Sequence, residues 1–126
     1  MKNREEVEFF EKVQAQLHGL YDEMVVFSKK TPDGAVNKFK LKFVNQILTE
    51  ANKILDDKNK PFADFDTFNE DLLPTNSDVV MILSQYINCL EKFRSEQIKH
   101  YSAYWFWLIN GKQSDIRTSS PKKLDY

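Results

Sequence analysis

The chain has 126 residues, of which 41% are hydrophobic, and this is typical of one domain with a real core. Its formal net charge of −1 excludes a chain that is basic throughout, as general polyanion binders are. The single cysteine, Cys89, excludes an intrachain disulfide and a zinc site built on several cysteines.

The first predicted element is a helix over about residues 3–30. Apolar residues recur along it at steps of three and four, which is the spacing of one helix face. They are Phe10, Val13, Leu17, Leu20, Met24 and Phe27. Acidic residues in the first turns and Lys29 and Lys30 in the last turn suit the helix dipole. The sequence TPDG then predicts a turn at 31–34.

A second helix is predicted over about residues 35–56, followed by a long connection to residue 78. The helix carries apolar residues at helical spacing, and we expect that face to be buried. Its members are Val36, Phe39, Phe43, Ile47, Ala51 and Ile54, and Val44, Leu48 and Leu55 widen it. In the connection, Phe62, Phe65 and Phe68 recur at every third residue. Such anchors are unusual in a disordered linker, so we expect the connection to be pinned onto the helices.

A third helix is predicted to begin near Thr75, Asn76 or Ser77, which are good N-cap residues. Its apolar pattern allows a long helix that runs to Asn110-Gly111, and a break near residues 99–103, with the second part folding back as a fourth helix, is left open. A β-hairpin through Asn110-Gly111 is the less favoured interpretation, because KQSDIRT beyond it lacks apolar alternation. The prediction is an all-α fold, a three to four helix bundle over residues 1–111, with a polar C-terminal tail at 112–126.

The stretch YSAYWFWLI, residues 101–109, is the most unusual in the chain. On a helix, consecutive aromatic residues would sweep ~200° of its circumference, more than one bundle-facing side can cover. We therefore predict a binding surface for a protein partner or a second copy, made of Tyr101, Tyr104, Trp105, Phe106 and Trp107. Two alternatives remain: the rings form core within the chain, or they form a stacking platform for a small molecule or a nucleobase.

The segment Arg94-Ser-Glu-Gln-Ile-Lys-His100 places an arginine six positions before a histidine. It resembles the R-x(4–6)-H signature of the HEPN superfamily, small helical bundles of which many are metal-independent ribonucleases. The resemblance implies that Arg94 holds a phosphate and that His100 moves a proton at a ribose hydroxyl. It covers seven residues, and Ser95 stands where members usually have Asn, Asp or His after the arginine.

Other patterns indicate no further chemistry. His18 with Asp22, and Glu96 with His100, lie four apart as metal ligands on a helix do, but surface pairs with this spacing are commoner and we predict no metal and no cofactor. The N-terminus lacks a signal-peptide core, and no stretch approaches the ~18 apolar residues of a membrane span. We predict a cytoplasmic, non-enzymatic helical interaction protein, such as a regulator, an inhibitor or immunity-type protein, or a small complex subunit.

Overall fold

The computed structural model describes residues 1–123 as three helices followed by a three-stranded antiparallel sheet. In chain order the elements are α1 (Arg4–Lys30), α2 (Lys38–Ile54), α3 (Asn76–Ser95), β1 (Ile98–Tyr101), β2 (Tyr104–Ile109) and β3 (Lys112–Thr118). The strands lie in the order β1-β2-β3, so both connections are hairpins. The prediction of an all-α helical bundle is therefore wrong, and the fold is mixed α and β.

Helix α1 follows the predicted pattern closely. The side chain of Asn3 caps its first turn by accepting a hydrogen bond from the backbone N–H of Glu6 (2.9 Å). The buried residues form one stripe along the helix: Val7, Phe10, Val13, Leu17 and Met24. Met1, which precedes the cap, accepts a hydrogen bond from Asn110 N–H, so the beginning of α1 lies against the end of β2.

Helix α2 buries the aliphatic edge of its predicted apolar face and leaves the aromatic edge exposed. Its buried residues are Leu41, Val44, Leu48 and Ala51, whereas Phe39 and Phe43 are exposed. Both edges have helical spacing, so periodicity alone does not distinguish them. The smaller aliphatic side chains occupy the core, and the two phenylalanine rings remain at the surface.

Helix α3 begins as predicted and ends much earlier. Thr75 is its N-cap, and the Thr75 hydroxyl and the Asp78 carboxylate form a reciprocal capping box. The helix ends at Ser95, 15 residues before the predicted stop at Asn110. The aromatic and β-branched residues that follow suit a pleated sheet, where successive side chains point to opposite faces. The strands thus divide the rings between a face that packs on the helices and a face that points away from them.

The hairpin through Asn110-Gly111, which the sequence favours less, is the one that forms. Asn110 has φ 53° and Gly111 has φ 75°, and two positive φ values are what a two-residue type I′ hairpin turn requires. Residues 112–118 of the predicted tail therefore form β3 and pair with β2. Of its half-buried positions, Ser114, Ile116 and Thr118, only Ile116 is a large apolar residue. The remainder of the predicted tail that lies at 124–126 is outside the described residues.

The long connection between α2 and α3 is held by asparagines of α2. Asn45 both donates to the backbone oxygen and accepts from the backbone N–H of Phe68, each at 2.9 Å. Asn52 donates to the backbone oxygen of Asp66 and accepts a hydrogen bond from the hydroxyl of Tyr86. The rings of Phe65 and Phe68 pack against the core. Phe62, the third predicted anchor, is exposed.

Candidate functional site

The strand register divides the aromatic stretch between two faces of the sheet. Residues paired across antiparallel strands share a face. Trp107 pairs with Ile98, and both are buried against the helices. Their chain neighbours Phe106 and Lys99 pair with each other and point to the opposite side. The inner face of the sheet is therefore core, and the outer face is available for contact.

Both tryptophans of the predicted surface lie on the inner face. Trp107 is fully buried, and its ring meets the ring of Phe10 edge-on at a centroid distance of 5.2 Å. Trp105 is half-buried, packs against the core and lies 5.2 Å from the ring of His100. The alternation of the strand therefore separates the two tryptophans from the other three rings of the predicted surface. Trp107 in particular is a structural residue.

The outer sheet face consists of Tyr101, Tyr104 and Phe106 with the cations Lys99 and Arg117. Tyr101 pairs with Tyr104, and Phe106 pairs with both Lys99 and Arg117, so the five form one patch. The Arg117 guanidinium lies over the Tyr104 ring, 3.6 Å from its centroid, and the Lys99 ammonium lies 5.3 Å from that of Tyr101. Three of the five residues predicted to bind a partner therefore remain together at the surface.

Arg94 is a buried structural residue. Its Nε and Nη2 donate to the two carboxylate oxygens of Glu91 at 2.8 and 2.7 Å. Its Nη1 donates to the Thr118 hydroxyl and to the backbone oxygen of Ser119, and Nη2 donates to that of Ser120, all at 2.9 Å. A guanidinium has five N–H donors, and all five are engaged. None is left to hold a phosphate.

Glu91 completes this network from the other side. Its carboxylate also accepts hydrogen bonds from the backbone N–H of Lys122 (2.9 Å) and from the amide of Gln14 on α1 (3.3 Å). Burial by itself would raise the pKa of Glu91. The hydrogen bonds from Arg94 and Lys122 outweigh that effect and lower the pKa below its ordinary value of 4.5. The pair thereby joins α3, α1 and the segment after β3.

His100 does not share a site with Arg94. It lies on β1, exposed, beside Trp105, whereas Arg94 is buried near the end of α3. The two members of the HEPN-like spacing therefore belong to different elements, with the turn at 96–97 between them. The chemistry that the resemblance implies needs a free arginine facing the histidine, and this geometry does not favour it.

A small cleft of about 240 Å³ lies between α1 and the segment after β3. His18, Trp107 and Lys122 belong to its lining. Burial and then the nearby Lys122 lower the pKa of His18 below its ordinary value of 6.5, while Asp22 and Glu91 oppose the shift. The indole N–H of Trp107 is buried and makes no hydrogen bond within residues 1–123.

Metal-binding and thiol chemistry find no support in residues 1–123. Within this range no group of three or more His, Cys, Asp or Glu side chains is arranged to hold a metal ion. Cys89 is half-buried and packs against the core, and burial raises the pKa of its thiol. A raised pKa reduces the thiolate fraction that a nucleophile needs.

Sequence reasoning missed a second surface, which we call the phenylalanine patch: Phe27, Phe39 and Phe43. Phe39 is 73% exposed, and its ring meets that of Phe43 edge-on at 5.0 Å. The ammonium of Lys40 lies 3.4 Å from the centroid of the Phe27 ring. The sequence held one signal for this patch. The aliphatic residues of α2 are enough to form its buried side, and Phe39 and Phe43 are then not needed in the core.

Within residues 1–123, none of the helices combines the length and the apolar character needed to cross a membrane. Comparisons of the chain with protein-family models, with curated proteins and with solved structures returned no match.

Proposed function

We propose that the protein is a non-enzymatic interaction protein that binds another protein through the outer sheet face. The observation that supports this most directly is the position of Tyr101, Tyr104 and Phe106 on one side of the sheet. Tyr104 is 48% exposed, and among the described residues none of the three packs against the core. Tyr101 and Phe106 are half-buried beside Tyr104, and contiguous accessible aromatic area on a small domain is typical of a contact site.

The composition of the outer sheet face suits a protein partner better than a nucleic acid. Tyrosine and arginine are enriched among residues that dominate binding energy at protein interfaces. Nucleic-acid surfaces usually need a broad basic track, whereas this patch holds two cations, Lys99 and Arg117, each already lying against a tyrosine ring. The formal net charge of −1 agrees with that choice.

The rings are also held in place before any partner arrives. They lie on paired strands joined by two-residue turns, and their backbones are hydrogen-bonded on the sheet. A preorganised surface loses less conformational entropy on binding than a flexible loop. The role that fits is that of a regulator, an inhibitor or a subunit of a small complex.

The test is site-specific photo-crosslinking in cells of the native host. A benzophenone amino acid is placed at position 104 on the outer sheet face and, as the matched control, at position 81 on α3. Met81 is 53% exposed, close to the 48% of Tyr104. We expect one discrete protein adduct from position 104 and none from position 81. Equal adducts from both positions, or none from 104, would contradict the proposal.

Sedimentation velocity separates a foreign partner from a second copy. If the purified chain is monomeric over a concentration series and the adduct contains a different protein, the partner is foreign. If the chain dimerises and Tyr104→Ala dissociates the dimer, the outer sheet face instead joins two copies. Circular dichroism checks that Tyr104→Ala and the benzophenone variant at position 104 are folded. We expect both to keep the wild-type spectrum, because position 104 contributes nothing to the core.

A further inference from the structure

The seam between α1 and α2 carries a groove that continues the phenylalanine patch. The groove has a volume of about 360 Å³ and is lined by four residues of each helix. Its apolar floor consists of Phe9, Val13, Phe43 and Ile47. Because Phe43 also contacts Phe39, the floor and the exposed ring of Phe39 form one continuous strip.

The strip has the length of a short helix. On α2 it runs from Phe39 to Ile47, eight residues along the axis, which at ~1.5 Å per residue is about 12 Å or two helical turns. An amphipathic helix places anchors at i, i+3 or i+4 and i+7 over that distance. Phe39, Phe43 and Ile47 offer matching contacts at four-residue intervals along it.

Lysines flank the strip on both helices. Lys12 lines the groove, Lys40 lies over the Phe27 ring of the phenylalanine patch, and Lys42 is one helical turn from Phe39. The acidic residue in the lining, Glu50, is paired with Lys53. A partner helix with acidic residues beside its apolar face would complement this arrangement.

We propose that the groove between α1 and α2, together with Phe39, binds an acidic amphipathic helix of a protein partner. The groove beside Phe39 is a recess between two helices, and an apolar groove is the usual binding site for an amphipathic helix. The surface lies on the helices, away from the outer sheet face, and its test does not depend on the function proposed above. Phe39 and Phe43 are the anchors, and Lys12 and Lys42 provide the electrostatic complement.

The experiment is a selection from a displayed library of 14-residue amphipathic helices with varied charged flanks. Helices that bind the wild-type protein are kept, and helices that also bind the double variant Phe39→Ala/Phe43→Ala are discarded. We expect enriched helices to carry Asp and Glu beside the apolar face, and to bind the double variant at least tenfold more weakly. Lys12→Glu/Lys42→Glu should also weaken them, and added salt should reduce binding to the wild type.

Leu72→Ala is the matched control, because Leu72 is 73% exposed, as Phe39 is, but lies outside the strip. It should leave binding unchanged. The proposal is overturned if no helix is enriched over the double variant, if enriched helices are basic or uncharged, or if Leu72→Ala weakens them equally. Binding to anionic phosphatidylserine vesicles that requires Phe39, with no helix selected, would assign the strip to a membrane surface instead.

Discussion

Glu91 and Arg94 lie one turn apart on α3 and form a bidentate ion pair whose side chains are 6% and 3% exposed. The same guanidinium holds the backbone of Ser119 and Ser120, and the same carboxylate holds that of Lys122. The segment after β3 is therefore fixed to α3 by one pair of side chains. Arg94, which the HEPN-like spacing suggested as catalytic, thus holds the end of the sheet against α3.

Removing one partner of this pair should be strongly destabilising. Arg94→Met leaves the Glu91 carboxylate buried without its guanidinium, a change that typically costs about 3–5 kcal/mol. Urea unfolding followed by circular dichroism measures the loss. Arg4→Ala is the control, because the Arg4–Asp115 pair is exposed and such pairs contribute ~0–1 kcal/mol. Equal losses in the two variants would contradict this role of Arg94.

Removing both partners should destabilise less than removing one. In Glu91→Leu/Arg94→Met no charge is left buried, and apolar replacements of a buried ion pair are often tolerated. Hydrogen exchange at the Lys122 amide should nevertheless be fast in this double variant, because that N–H has lost its carboxylate acceptor. If the Lys122 amide stays protected, other contacts hold the segment after β3.

The stability of the wild type should fall as pH decreases from about 6.5. Burial and Lys122 place the pKa of His18 below its ordinary 6.5, so the unfolded chain takes up that proton first. Stability from neutral His18 is thus complete above 6.5 and decreases below it. Urea midpoints between pH 8 and 5 should show this decrease in the wild type and in His100→Gln, and a smaller one in His18→Gln. An unchanged slope in His18→Gln would refute the assignment.

Trp107→Ala should lower the free energy of unfolding. The residue is fully buried, and truncation of a buried Trp typically costs about 3–5 kcal/mol. Trp107→Phe should cost clearly less, because the indole N–H makes no hydrogen bond within residues 1–123 and the ring contact with Phe10 is kept in kind. Urea unfolding compares the two. Similar large losses in both would show that the N–H has a partner in solution.

Asn45→Ala should loosen the connection before α3. It removes both hydrogen bonds to the backbone of Phe68, each contributing about 0.5–1.5 kcal/mol. Amide hydrogen exchange should accelerate at Phe68 and its neighbours while the helices stay protected. Asn69→Ala, which loses only a local contact with Asp71, is the control.

The helices were predictable from the sequence because their signals are local. The capping pattern at Thr75 and the stripe on α1 depend on residues three or four positions apart. The end of α3 depends on a competition that the local pattern does not settle. The apolar residues from Val79 to Tyr101 have helical spacing throughout. The chain from Ile98 onward nevertheless forms strands, because β1 then pairs with β2 and Trp107 of β2 packs on Phe10.

The candidate site was predictable in part. The aromatic stretch marks the region where we propose the binding surface, but the sheet sends Trp105 and Trp107 inward and leaves Tyr101, Tyr104 and Phe106 outside. Phe39 and Phe43 were assigned to the core because the predicted apolar face of α2 is broad, and Phe27 because it continues the stripe of α1. Which side of α2 is buried depends on how the helix packs against α1 and α3, and a local stretch of sequence does not specify that packing.

The polarity of β3 has a consequence for solubility. An edge strand with free backbone groups is a template for pairing with another chain, and aggregation often starts there. In β3, Lys112, Asp115 and Arg117 interrupt the strand, and its pairing with β2 shifts register between Phe106 and Leu108. Charge and irregular geometry both discourage a further strand from adding. The lack of apolar alternation that made this strand hard to recognise thus keeps the open side of the sheet from nucleating fibrils.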